Sequence, residues 1–247
     1  MKQLKEKIDA LLNNSKYSKE EIQAITREKA LYPFSQESRI LAYLLSLGEI
    51  TYDEYRQLDK DYCSRNRYLE LFDMAPRTYG QTWGEEHIRR LFPQFSKATK
   101  ENLSKVYPSF DGEFDLWLDG IRIEVKACRA NSTKSKGSLS SRAYLHAEAH
   151  NAGFKYHYQQ LKPSCCDVFI WIGTCRDVLL YWVLSSDDLL KSGKLGSQHR
   201  NEHTGTADNT VFEGQVFMTE DELLPFSVKE DDILNAVYAK GSIKSNE

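Results

Sequence analysis

Apolar residues in the first part of the chain recur at helical spacing. They fall every three or four positions over 4–12 and again over 40–45, with polar residues between them. Thr51, followed three residues later by Glu54, forms a capping-box sequence, which predicts that a further helix begins there. We therefore expect an N-terminal helical subdomain over 1–75, acting either as a support for the rest of the chain or as a helix-turn-helix.

From about residue 76 the pattern changes to a mixture of helices and strands. A helix with an apolar stripe is predicted to begin near Thr82, and short apolar runs predict strands farther along the chain. The predicted strands are 113–118, 121–127, 167–173 and 178–184, and further helices are predicted over 143–161 and 230–239. Strands mixed with helices indicate an α/β or α+β fold, so we expect one sheet domain over 76–247.

The dipeptide Asp119-Gly120 lies between two alternating runs and predicts a β-hairpin. Asp-Gly favours a two-residue type I′ turn, and this turn sets which residues face each other across the strands. The predicted pairs on the apolar face are Leu118 with Ile121, Leu116 with Ile123, and Phe114 with Val125. The predicted pairs on the opposite face are Trp117 with Arg122, Asp115 with Glu124, and Glu113 with Lys126.

The predicted pairing of Asp115 with Glu124 is unfavourable unless a cation neutralises it. Directly opposed side chains have Cβ atoms about 5 Å apart, and like charges at that distance destabilise a sheet. A divalent cation reverses the effect, and Mg²⁺ suits one or two carboxylates that share it with a phosphate. Lys126 lies diagonally across from Asp115, where its ammonium can contact a phosphate oxygen or orient a water molecule. The alternative is an ordinary hairpin with a charged, solvated face.

A third acid, Glu85, precedes the hairpin on the helix that begins near Thr82. Its spacing from Thr82 is that of a capping box, which is a structural role. Glu85 also lies three residues before Ile88, at the margin of the apolar stripe. If this helix packs on the sheet, Glu85 can reach the two carboxylates, and both roles remain open.

The arrangement of acids and lysine on the hairpin resembles a known motif. Asp115, followed after eight residues by Glu124, Val125 and Lys126, resembles the motif of the PD-(D/E)xK nuclease superfamily. Type II restriction endonucleases are the best-populated branch of that superfamily. Phe114 stands where the motif has its proline, which is the least informative position.

This resemblance covers 82–184 and implies both a fold and an activity. The fold is a restriction-endonuclease-like mixed β-sheet flanked by helices. The activity is Mg²⁺-dependent hydrolysis of double-stranded DNA at a short specific site, which leaves 5′-phosphates. The residues assigned to the reaction are Asp115, Glu124, Lys126 and Glu85, with Asp115, Glu124 and the Val125 carbonyl as Mg²⁺ ligands. A homodimer is expected, because both strands of a palindromic site are cut symmetrically.

Two polar segments are candidate contacts for DNA. Six basic residues between 122 and 142 are opposed by a single acid, which suits contacts to phosphates. The candidates for phosphate contact are Arg129, Lys134, Lys136 and Arg142. The candidates for contact with base edges are Gln198, His199, Arg200 and Asn201. In both segments the alternative is a solvated surface loop.

Composition and charge restrict the remaining possibilities. The net charge of −3 does not exclude a nucleic-acid partner, because local positive potential binds phosphates. The five cysteines are odd in number and show no CxxC spacing, which argues against a disulfide framework or a zinc site. No apolar run approaches the ~18 residues of a membrane span. These features favour a cytoplasmic protein without a membrane partner.

Two other functions compete with a site-specific endonuclease. The first is another DNA nuclease of the same fold, such as a repair or junction-resolving enzyme. The second is a DNA-binding protein whose sheet is catalytically silent. Discrete, reproducible fragments from a plasmid digest would indicate site-specific cutting rather than the first alternative. DNA binding that needs no Mg²⁺, with no cleavage, would indicate the second alternative.

Overall fold

The chain divides into two compact units, 1–64 and 65–247. The computed structural model describes residues 36–197 and 212–241. Residues 65–75, which the sequence pattern grouped with the N-terminal helices, belong to the second unit. Within the two described ranges, no helix has the length and apolar content needed to cross a bilayer.

The described part of the first unit is helical. It contains α1 (Gln36–Leu47) and all but the last residue of α2 (Tyr52–Arg65). At the start of α2 the Thr51 N–H donates to Glu54 Oε2 over 2.7 Å, and the Glu54 N–H donates to Thr51 Oγ1 over 3.2 Å. These two bonds confirm the predicted capping box. The helices expected before residue 36 lie outside the described residues.

The second unit contains a mixed six-stranded sheet and a smaller three-stranded sheet. The strands are β1 (Ser96–Lys97), β2 (Leu116–Leu118), β3 (Ile121–Arg129), β4 (Lys155–Leu161), β5 (Val168–Thr174), β6 (Leu179–Ser185), β7 (Gly196–Ser197), β8 (Gly214–Thr219) and β9 (Ser227–Val228). The helices described in this unit are α3 (Gly84–Leu91), α4 (Lys100–Leu103), α5 (His146–Asn151), α6 (Ser186–Lys191), α7 (Glu220–Leu223) and α8 (Ile233–Gly241). The fold is therefore mixed α and β, as the sequence pattern predicts.

The larger sheet has the strand order β1-β2-β3-β5-β6-β9. Strands β3 and β5 are parallel, and the other neighbours are antiparallel. A parallel pair needs a long crossover connection, and the segment between β3 and β5 supplies it with α5 and β4. Every residue of β5 is buried, as expected for a central strand that is covered on both faces.

The smaller sheet has the strand order β4-β8-β7, and its strand β4 lies where the sequence predicts a helix. Residues 143–161 were expected to form a single helix, but only His146–Asn151 is helical and Lys155–Leu161 is a strand. Gly153, at φ +58°, follows the helix, and Tyr156 and Tyr158 then alternate inward with the period of a strand. The helix prediction is wrong because pairing with β8, distant in sequence, decides the conformation of this short amphipathic run.

Apolar side chains pack on both faces of the larger sheet. Helices α3 and α8 pack on the face that contains Ile123. The smaller sheet packs on the other face, where Tyr158 stacks on Trp171 with ring centroids 4.4 Å apart. Because side chains alternate along a strand, β3 directs Glu124 and Lys126 toward the face that the smaller sheet covers.

Candidate active site

The closed end of the β2–β3 hairpin follows the predicted register. Asp119 and Gly120 both have positive φ, 46° and 96°, which is the backbone of a type I′ turn. The observed pairs are Leu118 with Ile121, Trp117 with Arg122, and Leu116 with Ile123. The predicted turn and these three pairs are confirmed.

The open end of the hairpin departs from that register by one residue. The Asp115 N–H donates to the Ile123 carbonyl over 3.0 Å, although Ile123 is already the partner of Leu116. One extra residue in a strand turns the side chains beyond it to the opposite face of the sheet, here those of the residues before Asp115. Phe114 is therefore buried with Phe110 on the opposite side of the sheet from Val125, and the predicted Phe114–Val125 pair does not form.

Because of this shift, the Asp115 side chain forms a hydrogen bond that the backbone forms in a regular strand pair. The Asp115 carboxylate accepts the Val125 N–H over 2.8 Å, which anchors the carboxylate beside β3. Burial raises the pKa of Asp115, although Lys126 and the Val125 N–H favour its charged form. Glu113 also lines this region, and its carboxylate accepts the Asp111 N–H over 2.7 Å.

Glu124 and Lys126 lie next to Asp115 and form an ion pair with each other. Glu124 is only 8% exposed, and burial raises its pKa to about 7. Lys126 lowers that pKa and Asp115 raises it, so the two carboxylates repel each other electrostatically. Burial by itself lowers the pKa of Lys126, but Glu124 and Asp115 outweigh it and the net pKa is raised. Lys126 is therefore a charged ammonium at neutral pH.

Glu85 reaches this cluster from α3. Thr82 lies within a helical turn at Thr78–Trp83, so Thr82 is not the N-cap that the capping-box interpretation requires. The Glu85 carboxylate instead contacts the Lys97 ammonium over 3.4 Å. Burial raises the pKa of Glu85 to about 7, and Asp115 adds to this shift. The same interaction means that Glu85 and Asp115 lie close enough to sense each other's charge.

All of these groups line one open cleft with a volume of about 770 Å³. Its walls are formed by the hairpin, the start of α3 and the end of β4. The predicted catalytic and metal-binding residues all lie there, namely Asp115, Glu124, Val125, Lys126 and Glu85. The predicted acids therefore lie in one cleft. The cross-strand register from which their proximity was predicted extends only as far as the pair of Leu116 with Ile123.

The chemistry of these donors fits a hard divalent cation. Burial raises the pKa values of Asp115 and Glu124 because it disfavours their charged forms. A cation held between the two carboxylates would favour their ionised forms. Within 36–197 and 212–241, no three His, Cys, Asp or Glu side chains are grouped as a complete metal cage. Mg²⁺ does not need one, because it commonly binds one or two carboxylates and takes its other ligands from water and phosphate.

The cleft also contains residues that are not among the predicted site residues. Lys97, on the edge strand β1, pairs with Glu85, and the charge of Lys162 acts on both Asp115 and Glu124. Gln159 and Gln160, at the end of β4, line the same cleft. The helix predicted over 143–161 gives no reason to place Gln160 or the neighbouring Lys162 at the cleft, and Lys97 lies in no predicted element.

The predicted phosphate contacts fall into two groups. Arg129 is turned inward: its guanidinium donates to the carbonyls of Leu71, Phe72 and Met74 and lies 4.4 Å from the Tyr79 ring centroid. Arg142 donates to the Ser132 carbonyl over 3.0 Å and so holds its own loop. Lys134 and Lys136 are exposed. The predicted base contacts Gln198, His199, Arg200 and Asn201 lie outside the described residues.

Comparison with known proteins does not assign this chain to a family. No protein-family model matches the chain, and no curated protein matches it. The function therefore has to be inferred from the cleft itself.

Proposed function

We propose that this protein is a Mg²⁺-dependent endonuclease that hydrolyses double-stranded DNA at a short specific site, in the manner of a type II restriction endonuclease. The observation that carries the proposal is the position of Asp115, Glu124 and Lys126, which lie together at the wall of one open cleft. Two repelling carboxylates beside a buried ammonium are unfavourable for stability alone, and they match the needs of phosphodiester hydrolysis.

The cation would be held by the carboxylates of Asp115 and Glu124 together with the Val125 carbonyl. When bound, Mg²⁺ supplies positive charge to the scissile phosphate and increases the nucleophilicity of water. The Asp115 carboxylate is already anchored by the Val125 N–H, so part of this ligand set is positioned by the fold.

Lys126 is the group best suited to the reacting phosphate. Its ammonium is held by Glu124, which aims it into the cleft, and it offsets the negative charge that grows on the phosphate during attack. The Glu85 carboxylate lines the same cleft, where it would accept a proton from the attacking water.

The hydrolysis needs no reactant other than water and the phosphodiester. The water oxygen forms a bond to phosphorus, and the bond from phosphorus to the 3′ oxygen breaks. One proton of the water leaves to the base, and the 3′ oxygen takes up a proton. The products are a 5′-phosphate and a 3′-hydroxyl.

The proposal extends to the assembly and its location. Two active sites related by a two-fold axis suit a palindromic target, so we propose a homodimer on DNA. A restriction function requires access to DNA, and we therefore propose that the protein acts in the cytoplasm.

A plasmid digest tests the proposal directly. The full chain is incubated with supercoiled plasmid in Mg²⁺ or in EDTA, and the fragment ends are sequenced. The proposal expects discrete, reproducible fragments in Mg²⁺, 5′-phosphate ends, and no cutting in EDTA. Heterogeneous cutting would point instead to a repair or junction-resolving nuclease, and binding without cutting at any Mg²⁺ concentration would point to a catalytically silent DNA-binding protein.

A further inference from the structure

The end of β4 contains an irregularity that faces the cleft. Strand β4 pairs regularly with β8 as far as Tyr158 with Val216, but the next pair is Leu161 with Gly214. Gln159 and Gln160 therefore both lie opposite Gln215, which defines a β-bulge. We call Gln159, Gln160 and the following Lys162 the bulge segment.

The bulge changes which side chains point inward. Tyr158 and Leu161 are three residues apart, yet both are buried in the same core cluster. With simple alternation Gln160 would point into that core in place of Leu161. The extra residue brings Leu161 inward and leaves both glutamines exposed at the wall of the cleft.

The backbone at the bulge is in an unfavourable conformation for its residue type. Gln160 has φ +56°, in the left-handed region that glycine adopts readily and glutamine rarely does. A non-glycine residue in this region is retained where the surroundings or the function need it. Glycine would satisfy this backbone conformation, so the backbone alone does not require glutamine at this position.

The distances along the segment fit a groove of DNA. Lys162 lines the same cleft as Asp115 and Glu124, the carboxylates where the scissile phosphate would bind. Gln159 is three residues away along the chain, which sets an upper limit of about 10 Å at ~3.3 Å per residue of extended backbone. The major groove is about 8.5 Å deep, so a phosphate held at Lys162 leaves base edges within reach of the glutamines.

We infer that the bulge segment is the element that reads DNA sequence next to the cleavage point. Gln159 and Gln160 would contact base edges, and Lys162 would contact the adjacent phosphate. A glutamine amide presents a donor and an acceptor together, which matches adenine in the major groove. This inference rests on the proposed endonuclease function, because it takes double-stranded DNA as the occupant of the cleft.

A selection from a pool of randomised DNA duplexes tests this inference. The wild-type chain, Gln159→Ala and Gln160→Gly are each used to select bound duplexes and, separately, to cut the pool in Mg²⁺, and both products are sequenced. Gln160→Gly removes the side chain and keeps the positive φ. Gln94→Ala is the matched control, since Gln94 is exposed and lies outside the cleft.

We expect each bulge variant to lose preference at one base-pair position by about 5- to 150-fold, while the control keeps the wild-type preference. Lys162→Ala should weaken binding to all sequences and reduce the slope of log affinity against log salt by about one phosphate contact. Lys155→Ala, at the exposed far end of β4, is its matched control and should leave the slope unchanged.

The outcomes separate this inference from the proposed function. Sequence-specific cutting that Gln159→Ala and Gln160→Gly leave unchanged would overturn the inference alone. Sequence-selective binding that depends on the bulge, without cutting, would support the inference and refute the nuclease. Neither binding nor cutting by the wild-type chain would overturn both.

Discussion

The two ends of the β2–β3 hairpin are held by different kinds of interaction. At the closed end, the turn at Asp119-Gly120 and regular backbone pairing set the geometry. At the open end the pairing slips, and the Asp115 carboxylate takes the Val125 N–H. The closed end has only to be stable, whereas the open end holds buried like charges that raise the free energy of the folded state. This contrast is the one expected if the open end carries the proposed chemistry, because unfavourable arrangements are retained at functional sites.

Removal of Lys126 should have the largest effect on function. Lys126→Ala takes away the only ammonium paired with Glu124 in the described residues, and cleavage in the plasmid digest should fall by about 10²- to 10³-fold or more. Binding to DNA should be retained in a gel-shift measurement. Lys105→Ala, an exposed lysine outside the cleft, is the control and should cut normally. Near-normal cutting by Lys126→Ala would remove this residue from the mechanism.

Two substitutions at Asp115 separate its chemical role from its structural role. Asp115→Asn keeps an oxygen that can accept the Val125 N–H but loses the charge, so cleavage should fall by about 10²-fold with little change in stability. Asp115→Ala leaves that N–H without its acceptor and should also destabilise the fold by about 1–3 kcal/mol. Cleavage rates and urea unfolding measure the two effects. Equal stability of both variants would contradict the anchoring role.

The stability of the metal-free protein should depend on pH because of Glu124. Folding raises the pKa of Glu124 from its ordinary value of 4.5 to about 7, so the folded state binds its proton more tightly. Stability is therefore highest below about pH 4.5, as far as this group is concerned, and falls as pH rises toward 7. Glu85 shifts in the same direction.

Glu124→Gln should flatten this dependence. Between pH 5 and 7.5 without metal, the Tm of the variant should change less than that of the wild type, while its absolute stability also reflects the loss of the ion pair with Lys126. Mg²⁺ should raise the Tm of the wild type and leave Glu124→Gln nearly unchanged. A wild-type Tm that rises between pH 5 and 7 in EDTA relative to Glu124→Gln would contradict the assigned pKa.

The smallest effect is expected at the closed end. Gly120 has φ +96° and open space around its Cα, so Gly120→Ala introduces backbone strain without a clash. It should destabilise the fold by about 1 kcal/mol and leave the rate of cleavage unchanged. Gly196→Ala is the control, because Gly196 lies outside the cleft, has no positive φ, and an added Cβ would lie 3.8 Å from the Gln215 carbonyl oxygen, an ordinary contact. A large loss of cleavage in Gly120→Ala would mean that the two ends are coupled.

The candidate site was predictable where local sequence decides the structure. An Asp-Gly turn requires positive φ at two consecutive positions, so the hairpin and its first three pairs follow from Asp119 and Gly120 alone. Glu124 and Lys126 follow from alternation along β3. Glu85 could be identified only as one of two possibilities, because its role depends on how α3 packs.

The prediction failed where partners distant in sequence decide the structure. The run before Leu161 was assigned to a helix, and its pairing with β8 makes it a strand instead. That error concealed the positions of Gln160 and Lys162 at the cleft. Arg129 is a predicted DNA contact, but its guanidinium donates hydrogen bonds to three backbone carbonyls within 71–74.

The sequence by itself determined the turn, the alternation of β3 and the presence of two acids and a lysine within one hairpin. These features depend on residues that are neighbours along the chain. Only the tertiary structure decided that Glu85, Lys97 and Lys162 join them, and that the glutamines of β4 face the same cleft. The physical reason is that burial and the approach of distant charges set both the positions and the pKa values of these groups, and neither is encoded in local spacing.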